Sequence, residues 1–119
     1  MKINFLFRKP KFPFLLINGD EIYAVKSLKR LAIIIQTHDF TKNESYDIID
    51  YDNEGWIYLP EYNMISPLTV KKSWRKKELV SLINSSKTLK DKNFEPLKPT
   101  VLNKSFKEIF NIIVYILTG

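Results

Sequence analysis

The chain contains no cysteine, a single histidine and only three glycines among its 119 residues. The missing cysteine excludes disulfides, thiolate metal ligands and cysteine nucleophiles. The sequence also lacks a glycine-rich phosphate loop, a zinc-ligand pattern, a serine nucleophile motif and a kinase signature. The residues therefore indicate neither catalytic machinery nor a cofactor, and we predict a protein that acts by binding.

Long apolar runs are also missing. Arg8 interrupts the apolar stretch near the N-terminus before a signal peptide of ordinary length could form. The longest apolar stretch near the C-terminus, residues 109–117, is about half of the roughly 20 residues needed to cross a bilayer. We therefore expect no membrane span and a cytoplasmic location.

Apolar side chains are nevertheless abundant enough to form a core. They make up 45% of the residues, and aromatic side chains alone make up 13%. Such a content offsets the chain entropy that keeps polar sequences disordered. Because a domain of this size holds one core, we predict a single domain over residues 1–119.

The order of strand-like and helix-like segments predicts an α+β fold. Apolar segments at 3–7 and 12–18 predict an N-terminal hairpin within residues 1–19, followed by a core of residues 20–86. The core has predicted strands at 21–25, 45–51, 56–59 and 68–72, and predicted helices at 27–37 and 74–85. The last three strands would form an antiparallel β-meander, with two to three helices packed on one face of the sheet.

Capping residues and composition define the remaining boundaries. Ser27 and Ser73 can accept the free amides at the starts of the first two helices. Residues 87–104 show no periodicity and predict a surface linker, whereas a Ser-x-x-Glu capping box begins a C-terminal helix over residues 105–119. That helix is apolar nearly all round, so it either closes the core or forms a contact with a second copy or a partner.

Two groups of polar side chains invite a catalytic or metal-binding interpretation, and both favour a structural one. His38 is followed by Asp39, but adjacent residues seldom face each other, so His38 is predicted at the C-terminal end of the first helix. Five carboxylates lie between residues 47 and 61, yet they lack the late bidentate glutamate of a calcium loop. We predict a solvated hairpin tip there and no metal site.

The net charge of +6 is unevenly distributed along the chain. Residues 1–40 carry +4, residues 41–65 carry −5 and residues 66–119 carry +7. Part of this pattern is intramolecular complementarity, but an acidic hairpin can also steer a basic partner. Nine residues in and after the hairpin are candidates for partner binding. They are Asp50, Asp52 and Glu54 as charges, Trp56, Tyr58 and Tyr62 as aromatic anchors, and Lys71, Lys72 and Arg75 as basic contacts.

The run from Lys71 to Lys77 gives an alternative, because an aromatic residue among cations is typical of nucleic-acid-binding surfaces. Short Lys/Arg runs are more often a solvated face, and Trp74 can join the apolar stripe of its helix. Trp56 likewise suits an anchor or the core. Nucleic-acid binding therefore stands as the second hypothesis, after binding of a protein.

Residues 20–85 hold a strand leading into a Ser-Leu-x-x-Leu helix, a tyrosine-containing strand, an Asp-x-x-Gly hairpin and a closing helix with Leu79 and Leu82. The segments read Ile22-Tyr-Ala-Val-Lys-Ser-Leu-Lys-Arg-Leu, Glu44-Ser-Tyr-Asp-Ile-Ile-Asp-Tyr-Asp-Asn-Glu-Gly-Trp-Ile-Tyr-Leu and Lys77-Glu-Leu-Val-Ser-Leu-Ile. This order resembles small bacterial immunity proteins, which neutralise contact-dependent growth inhibition toxins or other polymorphic toxins.

The resemblance implies a cytoplasmic, non-enzymatic inhibitor that binds one cognate toxin domain and covers its active site or an adjacent surface. Immunity proteins against basic nucleases are often acidic, whereas this chain is basic overall. A contact through the acidic hairpin around Asp50, Asp52 and Glu54 would fit a basic toxin. A toxin with an acidic face would instead meet the basic residues that follow the hairpin.

Overall fold

A six-stranded mixed sheet forms the centre of the computed structural model, which describes residues 2–118. Its strands are β1 (Asn4–Phe5), β2 (Phe14–Asn18), β3 (Glu21–Val25), β4 (Tyr46–Ile49), β5 (Gly55–Leu59) and β6 (Met64–Ser66). Across the sheet they lie in the order β1-β6-β5-β4-β2-β3. β1 and β6 pair in parallel, and the other neighbouring pairs are antiparallel.

Four α-helices cover both faces of this sheet within residues 2–118. They are α1 (Leu28–Thr37), α2 (Lys76–Asn84), α3 (Lys87–Asp91) and α4 (Phe106–Thr118), with two 3-10 turns at Pro60–Tyr62 and Pro99–Asn103. Leu31 and Ile34 of α1 pack with Leu16 on one face. The other three helices pack with Leu15 on the opposite face, since successive side chains of a strand point to opposite sides. The chain is a single α+β domain, as predicted, but its helices lie on both faces and not on one.

Local signals in the sequence account for several element boundaries. Gly19 adopts a left-handed φ of 62° in the two-residue turn between β2 and β3, where a type II′ hairpin places glycine. The Ser27 hydroxyl accepts the N–H of Arg30 at 3.1 Å and begins α1 as predicted. Ser105 and Glu108 form the predicted capping box, in which each side chain accepts the backbone N–H of the other residue, at 3.2 and 3.1 Å respectively.

The predicted N-terminal hairpin within residues 1–19 is not formed. β2 pairs with β3 along one edge and with β4 along the other, so neither edge is open to β1. The chain instead crosses the sheet, and β1 pairs with β6 in a register that sets Asn4 opposite Met64. A parallel pair needs such a crossover connection, which a local hairpin pattern does not reveal. Met1 and Gly119, at the ends of two predicted segments, lie outside the described residues.

The third strand of the meander is β6 and not the predicted segment 68–72. That segment instead passes beside β5, where the Gly55 N–H donates to the Lys72 carbonyl at 2.8 Å. Its alternating pattern belongs to a loop in which Leu68 and Val70 are exposed. The antiparallel order β4-β5-β6 of the predicted meander is confirmed.

The second helix begins later than predicted. Ser73 does not cap it, because the Asn53 side chain holds the Trp74 backbone outside the helix. The Asn53 amide accepts the Trp74 N–H and donates to the Trp74 carbonyl, and each hydrogen bond is 2.8 Å long. α2 therefore starts only after Arg75, whose N–H donates to the Glu78 carboxylate at 2.8 Å.

Residues 87–104 belong to the packed fold and do not form the predicted surface linker. The Ser86 hydroxyl accepts the Leu89 N–H at 3.1 Å and begins α3, and the Leu89 side chain is buried. The Asn84 side chain exchanges hydrogen bonds of 2.8 and 3.1 Å with the Leu97 backbone. The cap at Ser86 is local, but the contacts of Asn84 join residues that are 13 positions apart and leave no periodic signal.

Of the two alternatives for the last helix, the structure supports closure of the core. Ile109, Phe110 and Ile113 of α4 are fully buried among side chains of the same chain, whereas Tyr115 on the outer side is 70% exposed. A homodimer contact through the buried side of α4 is therefore not available. Neither α4 nor any other helix within residues 2–118 is long and apolar enough to span a bilayer.

We expect Gly55→Ala to destabilise the fold, because the backbone leaves no room for a side chain at this position. A Cβ there would lie 2.9 Å from the carbonyl carbon of Lys71 and closer still to its oxygen. The expected loss in the free energy of unfolding is about 3 kcal/mol, measured by urea titration. Gly19→Ala controls for backbone strain alone, since nothing lies within 4 Å of its Cβ, and should lose about 1 kcal/mol. Equal losses in the two variants would contradict the steric explanation.

Candidate functional site

A buried carboxylate organises the hairpin between β4 and β5. Asp50 is fully buried, at 0% exposure. Its two oxygens accept four N–H groups, from the backbone of Lys11 (3.1 Å), Asp52 (3.0 Å) and Glu54 (2.9 Å) and from the indole of Trp56 (3.0 Å). Asp50 was predicted to contact a partner, but it has no exposed surface and serves the hairpin itself.

Two of the three predicted aromatic anchors belong to the core. Trp56 and Tyr58 are each 1% exposed, and the Arg8 guanidinium lies 4.7 Å from the centre of the Trp56 ring. Tyr58 packs edge-on against Phe40, with 5.5 Å between ring centroids, and burial raises the pKa of its phenol. Neither ring is available as a surface anchor, whereas Tyr62 is 59% exposed.

The charges of the hairpin are paired within the chain. Arg8 forms a bidentate ion pair with Glu54, and its hydrogen bonds lower the pKa of that carboxyl below the ordinary value. Asp52 pairs with Lys107 of α4 at 3.3 Å. Two carboxylates of the acidic segment are thus paired with basic residues from the two ends of the chain, whereas Asp47 on β4 is exposed and unpaired among residues 2–118. Within residues 2–118, no group of three or more histidine, aspartate or glutamate side chains is close enough to hold a metal ion.

The basic residues after the hairpin are also engaged in local contacts. Lys71 forms an ion pair with Glu78 at 2.6 Å, and its ammonium lies 4.5 Å from the centre of the Trp74 ring. Lys72 donates to a backbone carbonyl at 3.2 Å, while Arg75 is exposed. The half-buried Trp74 ring is therefore covered by a lysine and is not open for base stacking.

A cleft of about 660 Å³ lies elsewhere, and none of the nine predicted contact residues lines it. It opens beside β3, the last strand of the sheet, between α1 on one side and residues of α3 and α4 on the other. We call it the β3 cleft. Its buried lining is apolar and includes Ile22, Ala24 and Ile34. Among residues 2–118, its exposed lining includes three cations, Lys26, Arg30 and Lys92, and no carboxylate side chain.

Two aromatic rings at the β3 cleft are held by structural contacts. Tyr23 and His38 pack with 4.5 Å between their ring centroids. The His38 Nδ1 lies 3.1 Å from the Ile34 carbonyl at the end of α1, where His38 was predicted. The Tyr23 hydroxyl donates to Glu21, and burial together with this carboxylate raises the pKa of the phenol.

Sequence reasoning did not find the β3 cleft. Its lining comes from residues 22–38, 88–92 and 117–118, which meet only when α3 and α4 pack beside an edge strand. The cations are visible in the sequence, Lys26 directly before the Ser-Leu-x-x-Leu motif and Arg30 within it. No local pattern shows, however, that β3 is the strand at which the sheet ends.

We expect Asp50→Asn to lower the free energy of unfolding by about 2–4 kcal/mol. The amide has the same shape but replaces an acceptor oxygen with a donor, so at least one buried N–H loses its partner. Asp47→Asn is the matched control, because Asp47 is exposed on β4, and should change the value by less than about 0.5 kcal/mol. Urea titration followed by tryptophan fluorescence measures both, and a similarly small effect in both variants would refute the role given to Asp50.

Comparisons of the chain with protein-family models, with curated proteins and with solved structures gave no match. The function proposed below therefore depends on the β3 cleft and on the side chains that line it.

Proposed function

We propose that the chain is a non-enzymatic, cytoplasmic protein-binding module of the immunity type, which neutralises a cognate bacterial toxin by binding it directly in the β3 cleft. The observation that carries the proposal is the position of this cleft along the open edge of the sheet. An edge strand presents backbone N–H and C=O groups that another polypeptide can pair with. A cleft that runs beside such an edge suits a protein partner.

The composition of the β3 cleft supports a protein partner of acidic character. Its buried lining of Ile22, Ala24 and Ile34 offers apolar contact area, while Lys26 and Arg30 supply positive charge. An apolar centre with a charged surround is the usual arrangement of a specific protein interface. Charge complementarity would then set the rate of encounter and exclude wrong partners.

The positive charge of this site is compatible with the basic net charge of the chain. Two carboxylates of the acidic hairpin, Asp52 and Glu54, pair with Lys107 and Arg8, which reduces the charge that the hairpin offers to a basic toxin. The cations of the β3 cleft have no ion pair among the described residues. The proposed toxin therefore presents an acidic surface, as in the second alternative above, but to the β3 cleft and not to Lys71, Lys72 and Arg75.

The alternative of nucleic-acid binding through Lys71 to Lys77 has less support. Base stacking needs an exposed aromatic face, and the Trp74 ring is half-buried beneath Lys71. Lys71 is also paired with Glu78, which reduces the positive charge available to phosphates.

The test is a charge reversal in the β3 cleft against a matched reversal elsewhere. The cleft variant, Arg30→Glu with Lys92→Glu, reverses two charges of the β3 cleft. The α2 variant, Arg75→Glu with Lys77→Glu, reverses two exposed charges at the start of α2. Tagged proteins are used to capture partners from nuclease-treated native lysate at about 0.15 M salt, where screening acts beyond roughly 8 Å. We expect wild type and the α2 variant to retain one stoichiometric protein, and the cleft variant to lose at least about 90% of it.

The captured protein is then expressed alone and together with each form of the chain. We expect growth arrest when it is expressed alone, and recovery with wild type or the α2 variant but not with the cleft variant. A parallel capture uses lysate that was not treated with nuclease, and recovery of nucleic acid there without any protein partner in either lysate would refute the protein-binding proposal. Equal retention by the cleft variant would refute the site, and a captured protein without toxicity would refute the immunity function.

A further inference from the structure

We infer that the β3 cleft receives an acidic, extended segment of the partner, which adds to β3 as a seventh strand of the sheet. This inference rests on the proposed function and specifies how the partner is bound. Two observations carry it, the outward direction of the β3 backbone groups and the sign of the charges around them.

The register of the β2-β3 hairpin shows which backbone groups face the cleft. Asn18 and Glu21 close the two-residue turn and exchange their hydrogen bonds, so alternate residues of β3 bond to β2. Ile22 and Ala24 lie between the bonded positions, and their N–H and C=O groups point away from β2. The Ile22 N–H confirms this direction, because it donates outward to the Thr88 hydroxyl at 3.0 Å.

The edge of β3 is hydrogen-bonded to residues outside the sheet near the turn, and no such bond is found at Ala24 among residues 2–118. Near the turn, the Lys87 N–H donates to the Asp20 carbonyl at 2.8 Å, and Thr88 accepts from Ile22. Further along the strand, no group outside the sheet among residues 2–118 accepts the Ala24 N–H. The part of the edge without such a hydrogen bond, called the open part below, thus borders the β3 cleft, which Ala24 lines with 6% of its surface exposed.

The charges around the open edge favour acidic side chains in the added strand. Side chains of a strand alternate between the two faces of a sheet, so an added segment would point one set toward α1 and the other toward α3 and α4. Arg30 lies on the first side and Lys92 on the second, and both are exposed. Acidic side chains on either face would therefore meet a cation.

The same charges argue against a second copy of the chain as the occupant. Pairing of two β3 edges would bring Lys26, Arg30 and Lys92 of both copies together, and like charges across an interface cost several kcal/mol. A partner segment with carboxylates turns this repulsion into attraction. The inferred occupant is accordingly a different protein and not the chain itself.

The experiment uses the isotope-labelled full chain and a blocked octapeptide of alternating valine and aspartate at about 50 mM salt, where charge is weakly screened. We expect saturable NMR shifts at the Ala24 and Lys26 amides and at least about 10-fold slower hydrogen exchange at Ala24 in the bound state. An octapeptide of alternating valine and lysine should not bind. The first peptide with its two central valines replaced by proline, which keeps the charge but removes strand donors, should not bind either.

The two charge-reversal variants described above also test whether the cations of the β3 cleft bind the peptide. Arg30→Glu with Lys92→Glu should weaken binding of the valine-aspartate peptide at least about 10-fold, and Arg75→Glu with Lys77→Glu should change it less than about 2-fold. The inference is overturned by absence of peptide binding at millimolar concentration, by equal binding of the lysine peptide, or by unchanged exchange at Ala24 in the complex. If protection of the Ala24 amide from exchange increases with protein concentration in the absence of peptide, two copies of the chain pair with each other, and the inference is overturned.

Failure of the inference and failure of the proposed function give different results. If the captured partner depends on Arg30 and Lys92 but leaves exchange at Ala24 unchanged, the chain binds its partner in the cleft without strand addition. If capture does not depend on these cations and the peptide does not bind, both proposals fail.

Discussion

The buried carboxylate of Asp50 joins three parts of the chain through hydrogen bonds to a single side chain. It accepts N–H groups from the N-terminal segment at Lys11, from the hairpin tip and from the Trp56 indole. Removing a carboxylate from water costs several kcal/mol unless hydrogen bonds compensate the charge. Because four donors share this compensation, the N-terminal segment, the hairpin and the ring are expected to form and unfold as one unit.

Carboxylates of the acidic segment bind other parts of the same chain. Arg8 covers the Trp56 ring and pairs with Glu54, and Lys107 pairs with Asp52, so the hairpin uses its charge to attach both ends of the chain. The net charge of +6 then has to be carried by residues outside these pairs. The β3 cleft, whose lining within residues 2–118 holds three cations and no carboxylate side chain, is one place where that excess is concentrated on a concave surface.

The sequence predicted what depends on neighbouring residues and failed where distant residues decide. The cap at Ser27, the turn at Gly19 and the capping box at Ser105 are confirmed because each is a hydrogen bond or backbone angle within about four residues. The pairing of β1 with β6, the helices on both faces and the position of β3 at the edge arise from tertiary packing. Burial of Trp56 was left open, since a tryptophan in a strand suits a core and an interface equally.

An open sheet edge can cause aggregation as well as bind a partner, because any exposed strand can pair with it. β1 limits the hazard at one end of the sheet by its length of two residues. At the other end, β3 is twice protected, by the contacts of α3 near the turn and by cations around the open part. Positive charge repels the edge of a second copy but attracts a segment of opposite sign, so one feature provides solubility and selectivity together. For that reason the proposed binding function is placed at β3, the edge surrounded by cations, and not at β1, the edge that is only two residues long.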